Sequence, residues 1–359
     1  MRVAVTAMIL LALQLAGCAS IGPKTVDRDR FDYVSAISES WKRQTLLNLL
    51  KTRYLDAPIF LDVSSVINQY AVEQEVDLGV SGEFYNRSDP SFIGPKIGAR
   101  GRYTDRPTIT YNPLMGEQFA RSLLKPIPIP AILLLLQAGY PVDYVLRICV
   151  QAINGLKNRR SGTLVSREAD KKFYELLGLL RSVQAVGGME MNFRSIDNKE
   201  TVVMSFRPPE DETITENLKR VLQLLGLDAS IREFRVVHGS FPEDDREIAI
   251  LSRSMIQVLV EYASYIDVPD SDVSEGRVYA TPQEDVETEA GFPPLLRVRN
   301  GISKPEDAFV AVPYRERWFW IDDRDTHSKS TFYFLMVMFS FTERGVVGQT
   351  VPILTVPTN

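Results

Sequence analysis

The residues best suited to chemistry lie in one segment near the C-terminus, from Tyr314 to His327. It holds two of the three tryptophans and one of the two histidines of the chain. In an extended conformation Asp323, Asp325 and His327 would project to one side, a spacing that could hold a divalent cation. Paired carboxylates could also act as acid and base on a glycan. We call residues 314–327 the charged segment.

A structural interpretation of the charged segment competes with the catalytic one, and we favour it. In this interpretation Trp318 to Ile321 form a buried strand, and Asp322 to Asp325 begin the next helix by capping its free amide groups. We therefore assign no catalytic residue, metal or cofactor. A ligand or partner surface is a third possibility, and it would use the arginines and tryptophans of the segment: Arg315, Arg317, Trp318 and Trp320.

Outside the charged segment, few residues offer catalytic material. His238 precedes Gly239 at a predicted strand end, where a structural role is the commoner one. Cys149 lies in an apolar helical context, which favours a small buried hydrophobe over a reactive thiol. With only two histidines in the chain, few positions could serve a His-dependent catalytic triad. No Gly-x-Ser-x-Gly, His-Glu-x-x-His or P-loop pattern occurs. These observations favour a non-enzymatic protein.

The elements that would position these residues predict an α+β fold. The first lobe, residues 31–187, is predicted to be helix-rich, with a helix from about Val34 to Tyr54. A long β-hairpin over about residues 72–103 follows, in which an acidic strand faces a basic one. Ala131 to Gln137 is apolar but too short to span a membrane, so it is predicted to be a core helix. Gly187-Gly188 marks the predicted boundary between lobes.

The second lobe, residues 188–359, shows three hairpin-plus-helix units, which predict a mixed or antiparallel sheet covered by helices. Its second predicted hairpin joins Ile231–Val237 to Glu247–Leu251. Between the second and third units, the Pro-rich stretch 267–294 holds eight acidic residues and one basic residue. That composition predicts a long solvated loop.

Composition excludes one class of partner. The formal net charge is −5, and there is no run rich in lysine and arginine. The sequence therefore gives no electrostatic case for nucleic acid binding or for a polybasic membrane contact. The length is enough for one large domain or two ordinary ones.

The N-terminus is typical of a secretory signal peptide: a positive start, an apolar run from Val3 to Leu13, and small residues before a cysteine. Its end, Leu15-Ala16-Gly17-Cys18, resembles the lipobox of bacterial lipoprotein precursors. The resemblance implies diacylglycerol on the Cys18 sulfur, cleavage between Gly17 and Cys18, and acylation of the new amine, for example with palmitate. Residues 1–17 would be the signal peptide, and residues 18–30 the lipidated cysteine and a short tether.

By resemblance to the sorting of enterobacterial lipoproteins, an aspartate directly after the lipidated cysteine favours retention in the inner membrane. Here Ala19 occupies that position. We therefore expect a Gram-negative outer-membrane lipoprotein facing the periplasm and held by its lipid alone. The expected function is a structural or assembly accessory of an envelope complex for secretion, export or barrel assembly, with other envelope proteins as partners. The alternative is an envelope glycan-binding or glycan-acting protein that uses residues 315–327.

Overall fold

The computed structural model describes residues 22–67, 70–80, 95–105, 108–114, 117–162, 166–196, 199–207, 210–281 and 291–342. The predicted signal peptide and Cys18 lie outside these ranges. Contacts divide the chain into two compact units. The first comprises residues 1–40 and 61–114, and the second comprises residues 41–60 and 115–359. By this division, both sides of Gly187-Gly188 belong to the second unit.

The first helix, α1, runs from Gly22 to Arg53 and is longer than predicted. It includes residues that the sequence interpretation assigned to the tether. Proline is tolerated in a first helical turn, and no glycine or proline occurs between Pro23 and Arg53, so nothing in the chain interrupts the helix.

The stretch Leu46-Leu47-Asn48-Leu49-Leu50 in the second half of α1 has almost no polar face, and this pattern predicts burial on several sides. Leu46, Leu49 and Leu50 are fully buried, and this prediction is confirmed. These leucines stabilise this part of α1, because full burial of a leucine side chain contributes about 1.5–3 kcal/mol to the free energy of unfolding.

The strands that follow α1 form two-stranded sheets. Strand β1 (Phe60–Ile67) pairs with β4 (Thr108–Leu114), and β2 (Tyr70–Val80) pairs antiparallel with β3 (Pro95–Asp105). In the second pair, Glu73 lies opposite Arg102 and Glu75 lies opposite Arg100. The long hairpin and the register of its acidic and basic strands are as predicted.

The remaining helices in the described ranges belong to the second unit. They are α2 (Glu117–Leu124), α3 (Ile129–Gln137), α4 (Val142–Cys149), α5 (Lys171–Ala185), α6 (Glu212–Leu225), α7 (Met255–Ala263), α8 (Asp270–Ser274) and α9 (Thr326–Thr342). Ile132 and Leu133 of α3 are fully buried, which confirms the predicted core helix. Within the described part of the chain, no helix is both long and apolar enough to cross a membrane.

A six-stranded sheet organises the second unit. Its strands are β5 (Val150–Ile153), β6 (Leu156–Lys157), β7 (Met189–Ile196), β8 (Lys199–Phe206), β9 (Glu233–His238) and β10 (Glu247–Ser252), in the order β6-β5-β10-β9-β8-β7. Neighbouring strands are antiparallel except for β9 and β10. The sheet is therefore mixed, and with its helices it confirms the predicted α+β class.

The parallel pairing of β9 and β10 differs from the hairpin that the sequence suggested. Glu247 lies opposite Arg235, and Ile250 lies opposite His238. Both strands find antiparallel partners on their other edges, β8 for β9 and β5 for β10. The alternation of side chains along a strand has a period of two in either direction, so the sequence pattern alone does not distinguish the pairings.

A three-stranded sheet precedes α9. It contains β11 (Arg299–Gly301), β12 (Ala308–Tyr314) and β13 (Arg317–Asp322) in the order β11-β13-β12. Strands β12 and β13 form the third predicted hairpin, and its turn residues Arg315 and Glu316 have φ angles of 46° and 64°. Two consecutive residues with positive φ are the signature of the tight turn that matches the twist of a hairpin.

Candidate functional site

The charged segment passes from β12 through β13 into the first turn of α9, and Asp325 caps that helix. Its carboxylate accepts hydrogen bonds from the backbone N–H (3.0 Å) and the hydroxyl (2.8 Å) of Ser328. Partial burial raises the pKa of Asp325, but the two bonds from Ser328, together with the nearby Arg297 and His327, outweigh this effect and hold the pKa below its usual value. The predicted capping role is confirmed for Asp325.

The other two residues of the proposed cation spacing have separate partners. The Lys329 ammonium donates to the Asp323 carboxylate at 2.7 Å and to the Asp323 carbonyl at 2.9 Å. His327 Nε2 lies 3.0 Å from the Pro294 carbonyl oxygen, so this nitrogen carries the proton and donates. A turn and a helix start replace the extended chain in which the three side chains would project together.

The tryptophans of the segment lie on one face of β13, and the other face is buried. Phe319 and Ile321 are almost completely buried, as predicted, whereas Trp318 and Trp320 are only half-buried. Trp320 covers Gly301 closely, since a Cβ atom there would lie 3.2 Å from the indole ring. The Lys304 ammonium lies 5.7 Å from the Trp318 ring centroid. Both indole rings therefore have protein neighbours.

Arg315 and Arg317 of the segment make contacts within the second unit. The Arg315 guanidinium lies 4.8 Å from the Tyr54 ring centroid, and its Nη2 lies 3.4 Å from the Asp56 carboxylate. Arg317 Nε donates to the Asn300 side-chain oxygen at 3.2 Å. These contacts hold the β12–β13 hairpin against the end of α1 and against β11.

Cys149 and His238 occupy contrasting positions. Cys149 is fully buried at the end of α4, as predicted, and burial raises the pKa of its thiol to about 12. A thiol with this pKa is a poor nucleophile at neutral pH. His238 is exposed at the end of β9, the strand end where the sequence placed it.

Sequence reasoning missed a cluster of buried charges. Glu261 lies 3.4 Å from Arg159 and 3.3 Å from Arg253, and all three side chains are less than a tenth exposed. Ser161 adds hydrogen bonds to both Glu261 oxygens, at 3.1 Å from its amide and 3.2 Å from its hydroxyl. We call Arg159, Arg253 and Glu261 the buried ion cluster.

Arg253 also completes the end of α4, which passes into β5 without a loop. Its Nη1 donates to the carbonyl oxygens of Arg147 (3.1 Å) and Ile148 (3.2 Å), and its backbone N–H donates to that of Cys149 (2.7 Å). Carbonyl groups in the last helical turn have no partner within their own helix. The cluster therefore stabilises a helix end as well as its own charges.

A signal for the cluster is present in the sequence of α7. Glu261 is the only charged residue of that helix, whose other residues are mostly apolar. Charged side chains are almost never fully buried unless they are paired, so such a carboxylate predicts a basic partner in the core. The partners lie too far along the chain to be identified by spacing.

The second unit also contains a cavity of about 430 Å³. Apolar side chains on its wall include Tyr265, Val268 and Leu296, and charged ones are Asp267, Asp270 and Arg297. The volume lies within the range of small-molecule sites, and the wall combines charged and apolar side chains. Most of its lining residues belong to the stretch 267–294, which the sequence assigned to a long solvated loop. That prediction is wrong for Asp270–Ser274, which form the helix α8.

The cavity and the charged segment are connected through one side chain. The Arg297 backbone N–H donates to the Ser328 hydroxyl at 2.9 Å, and Ser328 in turn bonds the Asp325 carboxylate. No group of three or more histidine, cysteine, aspartate or glutamate side chains that could hold a metal ion occurs among the described residues.

Comparisons with protein-family models, with curated proteins and with solved structures find no match to this chain.

Proposed function

We propose that this protein is an outer-membrane lipoprotein, anchored through Cys18, and that it serves as a non-enzymatic structural or assembly component of an envelope complex. The observation that carries the proposal is the end of the predicted signal peptide, Leu15-Ala16-Gly17-Cys18. The described chain begins as a helix at Gly22, four residues beyond Cys18. Four residues span at most about 14 Å, so the lipid would hold the start of α1 close to the bilayer surface.

The first part of α1 supports an interaction role. Val26, Phe31 and Val34 are 61%, 68% and 60% exposed, and Ile37 is 37% exposed. Val26, Val34 and Ile37 recur at helical spacing and share one face of α1. Scattered exposed apolar residues are ordinary, but a row of them on one helix face marks a surface for contact with a partner.

The contacts of the charged segment support a structural role over catalysis. Asp325 caps α9, Asp323 pairs with Lys329, and His327 donates to the Pro294 carbonyl. A general acid or base must instead reach a substrate proton. The glycan alternative would use Trp318 and Trp320, whose rings already contact Lys304 and Gly301.

The anchor is tested by Cys18→Ala, with Cys149→Ala as the matched control. We expect Cys18→Ala to retain the uncleaved precursor mass, to lose labelling by a palmitate analogue and to leave the membrane fraction. Cys149→Ala removes the other cysteine and should mature normally. An unchanged mature mass and membrane fraction in Cys18→Ala would refute lipid anchoring.

The partner role is tested by a photo-crosslinking side chain placed at Val34, with Asp32 on the opposite face of α1 as the control position. We expect a discrete crosslinked envelope protein from position 34 and none from position 32. Absence of any stoichiometric partner, combined with a glycan hydrolase activity that Asp323→Asn abolishes, would overturn the structural proposal in favour of the glycan alternative.

A further inference from the structure

The cavity beside α8 carries three charged side chains, all of which are exposed. Asp267, Asp270 and Arg297 line it, and within the described ranges their side chains make no hydrogen bond or ion pair. By contrast, arginines and carboxylates near the cavity are paired, such as Arg299 with Asp322 at 3.0 Å and Arg277 with Glu275 at 2.5 Å. The unpaired charges of the cavity therefore remain available for a ligand.

The backbone fixes the positions of these charges. The Asp267 N–H donates to the Val298 carbonyl at 3.0 Å, and the Asp267 carbonyl accepts from the Asn300 side chain at 3.1 Å. This pairing sets Asp267 beside the strand-like segment that carries Arg297, whose own N–H is held by Ser328. Asp267 is thus bonded to Asn300 of β11, and Arg297 is bonded to Ser328 of α9. Such hydrogen bonds to regular structure keep binding groups in place.

The electrostatics of the wall favour a ligand with charges of both signs. Burial raises the pKa of Asp267 even though Arg297 and Arg299 oppose the shift, so this carboxylate would be stabilised by an added cation. Two carboxylates repel a purely anionic ligand, and Arg297 repels a purely cationic one. A guanidinium binds a carboxylate through two parallel hydrogen bonds, and aspartates bind an ammonium group.

We propose that this cavity binds a small zwitterion of the amino-acid or short-peptide class, with its ammonium group at Asp267 and Asp270 and its carboxylate at Arg297. Val268 and Val273, the half-buried apolar residues of the wall, accommodate the carbon skeleton between the two charges. The inference goes beyond the lipoprotein function and does not depend on it, since every residue that it uses lies in the second unit.

Isothermal titration calorimetry of the full chain in detergent tests the proposal, with alanyl-alanine and free alanine as ligands. We expect saturable binding with one site per chain for at least one of them. N-acetyl-alanyl-alanine lacks the ammonium group, and alanyl-alanine amide lacks the carboxylate. Each should bind about tenfold or more weakly, because a hydrogen bond to a charged group is lost.

Variants locate the binding in the cavity. Arg297→Gln and Asp270→Asn should each weaken binding of the zwitterion about tenfold or more. Arg277→Gln and Glu275→Gln are the matched controls, since they make the same charge changes on nearby residues that do not line the cavity, and both should bind as the unaltered chain does. An unchanged circular dichroism spectrum and melting temperature show that each variant is folded.

Three results would overturn the inference: no saturable binding of either zwitterion by the folded chain, equal binding of the blocked peptides, or unchanged binding by folded Arg297→Gln. These outcomes are distinguishable from failure of the lipoprotein proposal, because membrane retention and crosslinking at α1 are measured separately and need no ligand.

Discussion

The buried ion cluster and the charged segment use the same residue types in opposite surroundings. In the cluster, the Arg253 and Glu261 side chains are 3% and 4% exposed. In the segment, Arg324 and its partner Asp307 are 80% and 65% exposed. Removal of one buried partner leaves another charge in a medium of low polarity, whereas water replaces an exposed partner at little cost. The segment with the denser charge is therefore the energetically weaker of the two.

The largest effect expected from this difference is that of Glu261→Ala. The substitution leaves Arg159 and Arg253 buried without their carboxylate, and breaking a buried pair in this way costs about 3–5 kcal/mol. The free energy of unfolding from urea denaturation measures the loss. Glu306→Ala removes an exposed glutamate near the charged segment and should change stability by less than about 0.5 kcal/mol. Similar costs for the two variants would break the comparison.

A triple apolar variant sharpens the interpretation of the cluster. Replacement of a buried ion group by apolar residues of similar volume is often neutral or stabilising. Here Arg253 also bonds the carbonyl groups of Arg147 and Ile148. The Arg147 carbonyl keeps its bond from the Asn158 side chain at 2.8 Å, but an apolar residue at position 253 would leave the Ile148 carbonyl without its side-chain donor. We therefore expect Arg159→Met, Arg253→Met and Glu261→Leu together to remain destabilised by about 1–3 kcal/mol per unpaired carbonyl. Recovery of full stability would show that these helix-end bonds contribute nothing.

A smaller effect is expected for the cap of α9. Asp325→Ala removes the acceptor of both Ser328 bonds, and loss of such a cap costs about 1 kcal/mol. Asp325→Asn is the conservative control, because asparagine also caps helices and should cost less. Equal stability of the alanine variant and the unaltered chain in urea denaturation would contradict the capping role.

Asp325 also predicts a pH dependence. Its folded-state pKa lies below the unfolded value, so its contribution is fully present above the unfolded pKa of about 3.9 and is lost as the pH falls through the folded pKa. We expect Asp325→Asn to be less stable than the unaltered chain at pH 7, with a difference that shrinks below pH about 4. Urea denaturation at pH 7 and pH 3 measures it, and a difference that grows at pH 3 would contradict the sign.

The smallest effect is expected for the pair of Asp323 and Lys329. Both side chains are partly exposed, and the Lys329 ammonium keeps its bond to the Asp323 carbonyl when the carboxylate is removed. Asp323→Asn should therefore change the free energy of unfolding by less than about 0.5 kcal/mol. A loss in the free energy of unfolding close to that of Glu261→Ala would mean that this aspartate stabilises the fold more than its exposed position explains.

The sequence predicted the elements well where the local pattern contains the information. The α+β class, the long hairpin, the buried half of α1 and the cap at Asp325 follow from periodicity and from the chemistry of helix ends. The predicted start of α1 lies too far along the chain because residues 22–33 are mostly polar. A polar segment can be an exposed helix or a flexible tether, and only the lack of glycine and proline after Pro23 favours the helix.

The sites depend on contacts between distant parts of the chain, and here local patterns were insufficient. Arg159 lies in a basic turn that looks solvated, yet its partner Glu261 lies more than a hundred residues later. Of the cavity charges, Asp267 and Asp270 lie within the stretch 267–294, whose composition predicts a loop, and Arg297 lies just after it. No periodic pattern connects such residues, because tertiary folding alone brings them together.

The direct junction between α4 and β5 has a consequence for the order of folding. The Arg147 carbonyl accepts hydrogen bonds from Asn158, 11 residues away, and from Arg253, 106 residues away. The Ile148 carbonyl accepts a hydrogen bond from the Arg253 side chain, 105 residues away. Closing a loop of that length costs entropy before any bond forms, so the junction is expected to be completed after the transition state. Loss of the Arg253 side chain should then accelerate unfolding and leave the refolding rate almost unchanged. The junction would thus govern how long the folded chain persists more than how fast it forms.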